Sequence, residues 1–239
     1  MNVPGIFVTG TDTGVGKSVV AAALIVSLRS RGVNAGGFKP VETGGREDSS
    51  MLREAAGAKD PLDLVNPYNF RMPVSPHQAA QEEGRTIDIA VICKAFDSLK
   101  ERHEFIVAEG AGGLLVPLTP EYLVADLVAA LELPLVVVAR AAVGTINHTL
   151  LTVRCAQSLG LPVAGVIINH ERVLAPEQAG TRPRDFTHHT RVPLLGTIPH
   201  LPDLSRETLK GAVLKYLDLS VLGAPLRAGT QPGCPPRHA

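Results

Sequence analysis

The chain has no excess charge of either sign, since 23 Lys and Arg stand against 23 Asp and Glu in 239 residues. No overall field draws it to nucleic acid or to a membrane surface, so any phosphate binding has to be local. Cysteine is scarce. Cys93, Cys155 and Cys234 are widely spaced and form no C-x-x-C pair, and they read as reduced thiols of a cytoplasmic protein. No apolar run reaches the roughly 18 residues of a membrane span. The first ten residues also lack a basic stretch followed by a long apolar run and a small-residue cleavage site. The expectation is a protein neither exported nor membrane-spanning. No internal repeat is visible.

With 45% apolar and 19% charged residues, the chain is long enough to bury one sizeable core. Short apolar, β-rich runs at 6–8, 33–38, 105–107, 135–139, 163–168 and 194–198 predict strands. Helical patterns at 17–31, 48–56, 87–102, 121–131, 145–159 and 205–217 lie between and after them. Strands that are almost wholly apolar and alternate with helices indicate an α/β fold: a mostly parallel sheet with helices on both faces. The Pro-rich stretch 61–76 predicts a long loop, which in a compact domain is more often a functional cover than filler. Residues 1–220 are expected to form the single domain, and 221–239, rich in Pro and Gly, a disordered tail.

The strongest chemical signal is Gly10-Thr11-Asp12-Thr13-Gly14-Val15-Gly16-Lys17-Ser18, between the first strand and the first helix. Backbone N–H groups of a Gly-rich turn and the positive end of the next helix cradle phosphate oxygens. A lysine at position 17 reaches the β and γ phosphates, and the Ser18 hydroxyl can ligate Mg²⁺. The standard pattern has a glycine with four residues between it and the Gly-Lys pair. Here Thr11 holds that place and Gly10 stands one residue early. The alternative is an ordinary Gly-rich strand-to-helix turn.

Mg²⁺ held by one hydroxyl and the phosphates usually recruits carboxylates. Glu109 ends an apolar strand, at the carboxyl edge where open α/β sheets bind ligands, and Gly110-Ala111-Gly112-Gly113 follows at once. Its plain alternative is a solvated strand terminus. Asp48 begins a predicted helix, where capping alone would also explain it. Lys39 closes the second predicted strand, from which it points toward the phosphate loop. Two lysines flanking one γ phosphate would stabilise the charge of its transfer. An exposed strand-end lysine is the competing reading.

These motifs, taken in order, resemble dethiobiotin synthetase. The resemblance rests on Val8 to Ser18, Gly37-Phe38-Lys39-Pro40-Val41, Asn66-Pro67-Tyr68, Ser75-Pro76-His77 and Glu109 to Gly113. It rests also on Gly144-Thr145-Ile146-Asn147-His148-Thr149-Leu150 and Leu194 to Pro199. It runs from about residue 5 to 217. That family uses ATP and Mg²⁺ to join CO₂ to 7,8-diaminopelargonate through a carbamate and a carbamic-phosphoric anhydride, closing the ureido ring of dethiobiotin. The chemistry asks mainly for positioning and charge stabilisation.

The resemblance implies that Lys17 and Lys39 are catalytic, with Lys39 stabilising the carbamate and the transferring phosphoryl group. It implies a nucleotide site of Gly14, Val15, Gly16, Lys17, Ser18, Val19, Asp48, Glu109, Gly110, Ala111 and Gly112. Asn169, His170, Pro199, His200 and Leu201 join that site around the adenine, with Glu207 assisting. Ser18, Asp48 and Glu109 would surround Mg²⁺. Thr13, Lys39 and Thr43 would touch the diamine and carbamate. Gly144, Thr145, Ile146 and Asn147 would meet the substrate carboxylate from the second subunit of a homodimer, at a helix N-terminus suited to an anion. Some members carry an acidic residue at the Gly14 position, whose loss here removes one possible amine contact.

Two rival readings share the scaffold. Partitioning and septum-positioning ATPases are membrane- or DNA-associated switches with a signature lysine early in the loop, where this chain has Asp12. A catalytically silent, synthetase-like regulatory module is expected to lose phosphate-site residues, whereas Lys17, Ser18, Lys39 and Glu109 are all present. Partners are therefore expected to be small molecules, with neither nucleic acid nor membrane.

Overall fold

The computed structural model describes residues 5–173 and 183–220. The expected tail, 221–239, and Cys234 lie outside the described residues. Strand β1 (Gly5–Gly10) leads through the Gly-rich turn into α1 (Lys17–Ser30), then β2 (Ala35–Phe38), a short β3 (Val41–Thr43) and α2 (Glu47–Ala55). Next come α3 (Leu62–Val65), β4 (Tyr68–Phe70), α4 (Pro76–Glu82), α5 (Ile89–Lys100) and β5 (Phe105–Glu109). The hairpin β6 (Pro117–Thr119) and β7 (Tyr122–Leu123) precedes α6 (Val124–Leu131), β8 (Leu135–Arg140), α7 (Thr145–Ser158) and β9 (Val163–Asn169). A 3-10 segment (Pro183–His189), β10 (Leu194–Ile198) and α8 (Arg206–Tyr216) follow.

The six long strands form one parallel sheet in the order β10-β9-β8-β1-β5-β2. Alternate side chains enter opposite layers, as a period of two requires. Ile6 and Val8 pack with Leu24 of α1, Leu52 of α2 and Val213 of α8. Phe7 faces the other way, against the layer of Phe96 of α5 and Leu127 of α6. A third cluster joins Val137 and Ile168 to Val153 of α7 and Phe186 of the 3-10 segment. Helices thus cover both faces, which explains why the strands read as continuous apolar runs. The chain leaves β1 toward β2 and β5 on one side and toward β8 on the other. The crevice beyond the carboxyl end of β1 is therefore the topological switch point, the place where open α/β sheets hold ligands.

Three expectations are corrected. The loop expected over 61–76 holds α3 and β4, and β4 pairs in parallel with β3 through Val41–Tyr68 and Thr43–Phe70. The helix expected to start at 121 begins at Val124, because Tyr122 and Leu123 pair antiparallel with 117–119. The helix expected over 87–102 is shorter, since the Asp88 side chain caps it by accepting the N–H of Ala90 at 2.8 Å.

Candidate active site

The turn between β1 and α1 is built by two glycines with left-handed backbones, Gly14 (φ 66°) and Gly16 (φ 86°), the second serving as the helix N-cap. Only glycine takes these angles without strain. At Gly16 a Cβ would also strike the side-chain nitrogen of Asn169. Asn169 lies at the end of β9, and its Nδ2 donates to the carbonyl of Val15 at 3.0 Å, so the second strand over from β1 supports the loop from below. At the crest, the Lys17 ammonium donates to the Asp12 carbonyl at 3.2 Å. Arg140, at the end of β8, donates to the Thr13 carbonyl at 2.8 Å and stands 3.3 Å from the Asp12 carboxylate. Both loop ends are thereby braced by the neighbouring strands.

Beneath the head of α1 four charged or polar groups converge. Lys39 follows β2 and is almost fully buried; its Nζ donates to Glu109 Oε1 at 2.5 Å and to Asp48 Oδ2 at 2.8 Å. Ser18 Oγ donates to the same Glu109 oxygen at 2.9 Å. The backbone of Lys39 is fixed on both sides. Its N–H donates to the Val65 carbonyl, and its carbonyl accepts the Asn66 side-chain amide at 2.8 Å. Asn66 also bonds the Tyr68 carbonyl at 3.0 Å, so the residues just before β4 hold Lys39 from the segment expected to be a long covering loop.

Burial opposes the charge of Lys39, but Glu109 and Asp48 outweigh it and hold the ammonium above the usual lysine range. Burial likewise opposes the charge of Asp48, and the Coulomb attraction and hydrogen bond of Lys39 overcome it, leaving the carboxyl below its usual range. Glu109 is wholly enclosed; burial pushes its carboxyl up and Lys39 only partly offsets this. The shifts of Lys39 and Glu109 thus pull on their shared proton in opposite senses. The 2.5 Å contact and the second carboxylate on Lys39 favour the ion-paired form. Lys17 is shifted the other way, downward, because desolvation prevails over the pull of Glu109.

Ser18, Asp48 and Glu109 form the oxygen set expected for Mg²⁺, and the structure tests the fit. Glu109 Oε2 is buried without a hydrogen-bond partner, which leaves an oxygen of this set free to take a ligand. Among the described residues no three His, Cys, Asp or Glu side chains gather into a cage. Two carboxylates and a hydroxyl are what an ion held mostly by phosphates and water requires.

The remaining expected residues fall into two groups. Asn169, His170, Pro199, His200 and Leu201 come together where β9 and β10 end, with the His170 N–H bonded to the Ile198 carbonyl at 2.9 Å. Burial lowers His170 below the ordinary histidine value, favouring a neutral ring. His200 Nδ1 lies 3.1 Å from the Glu171 carbonyl. Thr13 lines a cavity of about 330 Å³ between the phosphate loop and α7, walled by Leu114, Val116 and Leu151. Thr43 ends β3 beside Gly44, whose N–H bonds the Phe70 carbonyl. Gly144, Thr145, Ile146 and Asn147 cap and begin α7, as expected, but none of them lines that cavity; α7 supplies Leu151, Thr152 and Cys155 instead.

Arg140 and Glu42 are the residues that sequence reasoning missed, and Asn66, singled out in the Asn66-Pro67-Tyr68 motif, has no role assigned from the sequence. Arg140 terminates an apolar strand with a charge, the same signal that marked Glu109. Glu42 is buried on β3, its two carboxylate oxygens accepting the N–H groups of Asp48 (2.8 Å) and Ser49 (3.0 Å).

A family profile described as an AAA domain matches residues 4–208. The ATP-dependent dethiobiotin synthetase BioD of Anaeromyxobacter dehalogenans (strain 2CP-C) is 45% identical over 209 residues, 84% of this chain and 92% of that protein. The protein of the same name from Bacillus subtilis (strain 168) is 38% identical over 223 residues, 91% and 96% of the two chains. Among solved structures, the MinC:MinD cell division complex of Aquifex aeolicus aligns with a TM-score of 0.58 at 15% identity, covering 97% of this chain and 99% of that one. The septum site-determining protein MinD of Pyrococcus horikoshii, complexed with Mg-ADP, aligns at 0.57 and 18%, covering 87% and 86%. At such identities these structures share the fold alone.

Proposed function

Because the chain belongs to the ATP-dependent dethiobiotin synthetase family, we propose that it is a cyclo-ligase forming C–N bonds in biotin biosynthesis. Its reaction joins CO₂ to 7,8-diaminopelargonate with ATP, giving dethiobiotin, ADP and phosphate. One amine adds to CO₂ and loses a proton, giving a carbamate. A carbamate oxygen attacks the γ phosphorus, and the bond to the bridging oxygen of ADP breaks. The second amine then attacks the carbonyl of the resulting anhydride and expels phosphate.

No step calls for a side-chain nucleophile. The loop amides and Lys17 hold the β and γ phosphates, and Lys39 stays cationic against the charge that builds on the carbamate and the moving phosphoryl group. Ser18, Asp48 and Glu109 would hold Mg²⁺, which when bound neutralises phosphate oxygens. Asn169, His170 and Pro199 to Leu201 face the base, Thr13 and Thr43 the diamine. The apolar-walled cavity beside Thr13 suits an alkyl chain that carries its amines at the phosphate end. Leu115 and Leu151, 58% and 59% exposed on that cavity, and Val143, 91% exposed before α7, support a homodimer in which a second copy covers them and offers Gly144 to Asn147.

The observation that carries this reading is the convergence of two buried lysines, two carboxylates and a serine hydroxyl on the head of α1. The switch reading lacks its lysine, whose place is held by Asp12, and Asp12 is paired to Arg140. The silent-module reading lacks the losses it requires. The test is to incubate purified protein with Mg²⁺, ATP, labelled bicarbonate and 7,8-diaminopelargonate. Acid-stable label that depends on both ATP and diamine is expected; ATP hydrolysis indifferent to the diamine would overturn the proposal.

A further inference from the structure

Glu42 is a carboxylate on a three-residue strand, yet only 4% of it is exposed. A charge is buried at that depth only where something answers it. Here the answer is the amino end of α2. The N–H groups bonded to Glu42 belong to the second and third residues of that helix, and the residue at its N-cap position, Arg46, makes no side-chain cap. The opening N–H groups of a helix have no partner inside it and carry the positive end of its dipole. Glu42 therefore caps α2 from outside, with one oxygen on each amide.

The geometry assigns to Glu42 the role of a positioning residue: by fixing the first turn of α2 to β3, it sets the Asp48 carboxylate against Lys39 and into the expected Mg²⁺ set. Asp48 is the middle of the link. Its N–H is held by Glu42 at 2.8 Å, and its Oδ2 meets Lys39 at 2.8 Å. Asp48 is also the partly exposed carboxylate of the cluster, with 42% of its side chain accessible, so burial alone does not hold it. The fixed end of the device is β3, whose pairing with β4 includes Glu42 opposite Asn69. Glu42 makes its hydrogen bonds to the N–H groups of Asp48 and Ser49, not to Lys39 or Ser18, and acts through the backbone of Asp48. The inference rests on the function proposed above, since that is what gives Asp48 a metal to hold.

The test uses the full chain and calorimetric binding of ADP with and without Mg²⁺, alongside thermal unfolding. Wild type is expected to gain affinity when Mg²⁺ is added. Glu42→Ala should lose most of that gain, several-fold or more, while its metal-free affinity stays within twofold of wild type. Asp48→Asn should show a similar loss, and the double variant should lose no more than Asp48→Asn alone, as residues acting on one link do. Glu42→Gln, which keeps one oxygen acceptor, should fall between wild type and Glu42→Ala. A lowered unfolding temperature with an unchanged Mg²⁺-linked gain would reduce Glu42 to a structural cap and overturn the inference, as would additive losses in the double variant. If Glu42→Ala does not fold, Glu42→Gln decides: a gain equal to wild type overturns the inference. A wild type without any Mg²⁺-linked gain would instead remove the proposed function, and this inference with it.

Discussion

Lys39 and Lys17 differ by surroundings rather than chemistry. Two carboxylates hold the first charged, while burial weakens the charge of the second. Lys39→Gln should therefore lower label incorporation by roughly 10²- to 10³-fold, the cost of removing one preorganised donor to a developing charge. Nucleotide binding, read by calorimetry, should survive, because the loop amides and Lys17 remain. The lowered value of free Lys17 gives a pH signature whose sign is fixed. Phosphate favours the charged lysine, so binding raises the value again. Below the lowered value affinity is flat; as pH rises from it toward the bound value, affinity falls and binding takes up a proton. Calorimetry in buffers of different ionisation enthalpy reads that uptake, and Lys17→Ala should abolish it. Lys17 and Ser18 were legible because the loop has a fixed spacing. Glu42 was not, because its bond partners are backbone amides of a helix six residues on. The sequence puts the helix start at Asp48, itself a favoured cap residue, and this hid the need for a cap from outside; the structure begins α2 at Glu47, with Arg46 making no side-chain cap.

The long elements were legible for a reason visible in the core. Strands covered on both faces must be apolar throughout, and helices between them must show a buried stripe, so β1, β8 and α1 appear within a residue or two of where the sequence puts them. The short pieces escaped. Strands of two or three residues such as β3 and β7 carry no period, and what stabilises β4 is pairing with β3, more than twenty residues away, together with the Asn66 side chain just before it. A second polar link sits at the opposite end of the sheet. His103, before β5, has Nε2 2.7 Å from Asp60 Oδ2 and Nδ1 3.2 Å from Asn34 Oδ1, and Arg53 Nε donates to the Asp60 carbonyl. This joins the stretch after α2 to the amino ends of β2 and β5, and a Cβ at Gly36 would strike the His103 ring. Asp60→Ala leaves a buried imidazole nitrogen unanswered, which costs about 1–3 kcal/mol. Urea unfolding should show that loss, with nucleotide affinity unchanged, because the phosphate loop leaves the carboxyl ends of the strands.

At the scale of the whole molecule, the sheet decides where chemistry happens and side chains decide which chemistry. The same architecture serves the MinD proteins at 15% and 18% identity, so the topology directs attention to the end of β1 and no further. The residues collected there make a charge-neutral site: the ammonium groups of Lys17 and Lys39 face the carboxylates of Asp48 and Glu109, within a chain whose formal net charge is zero. An incoming polyanion is therefore neither pulled nor repelled at long range. Its encounter is set by unassisted diffusion, and ionic strength has little to screen. In stopped flow, the on-rate of a fluorescent nucleotide should change by less than about threefold between low and physiological salt, whereas electrostatic steering raises association by about 10- to 10³-fold and collapses as salt rises.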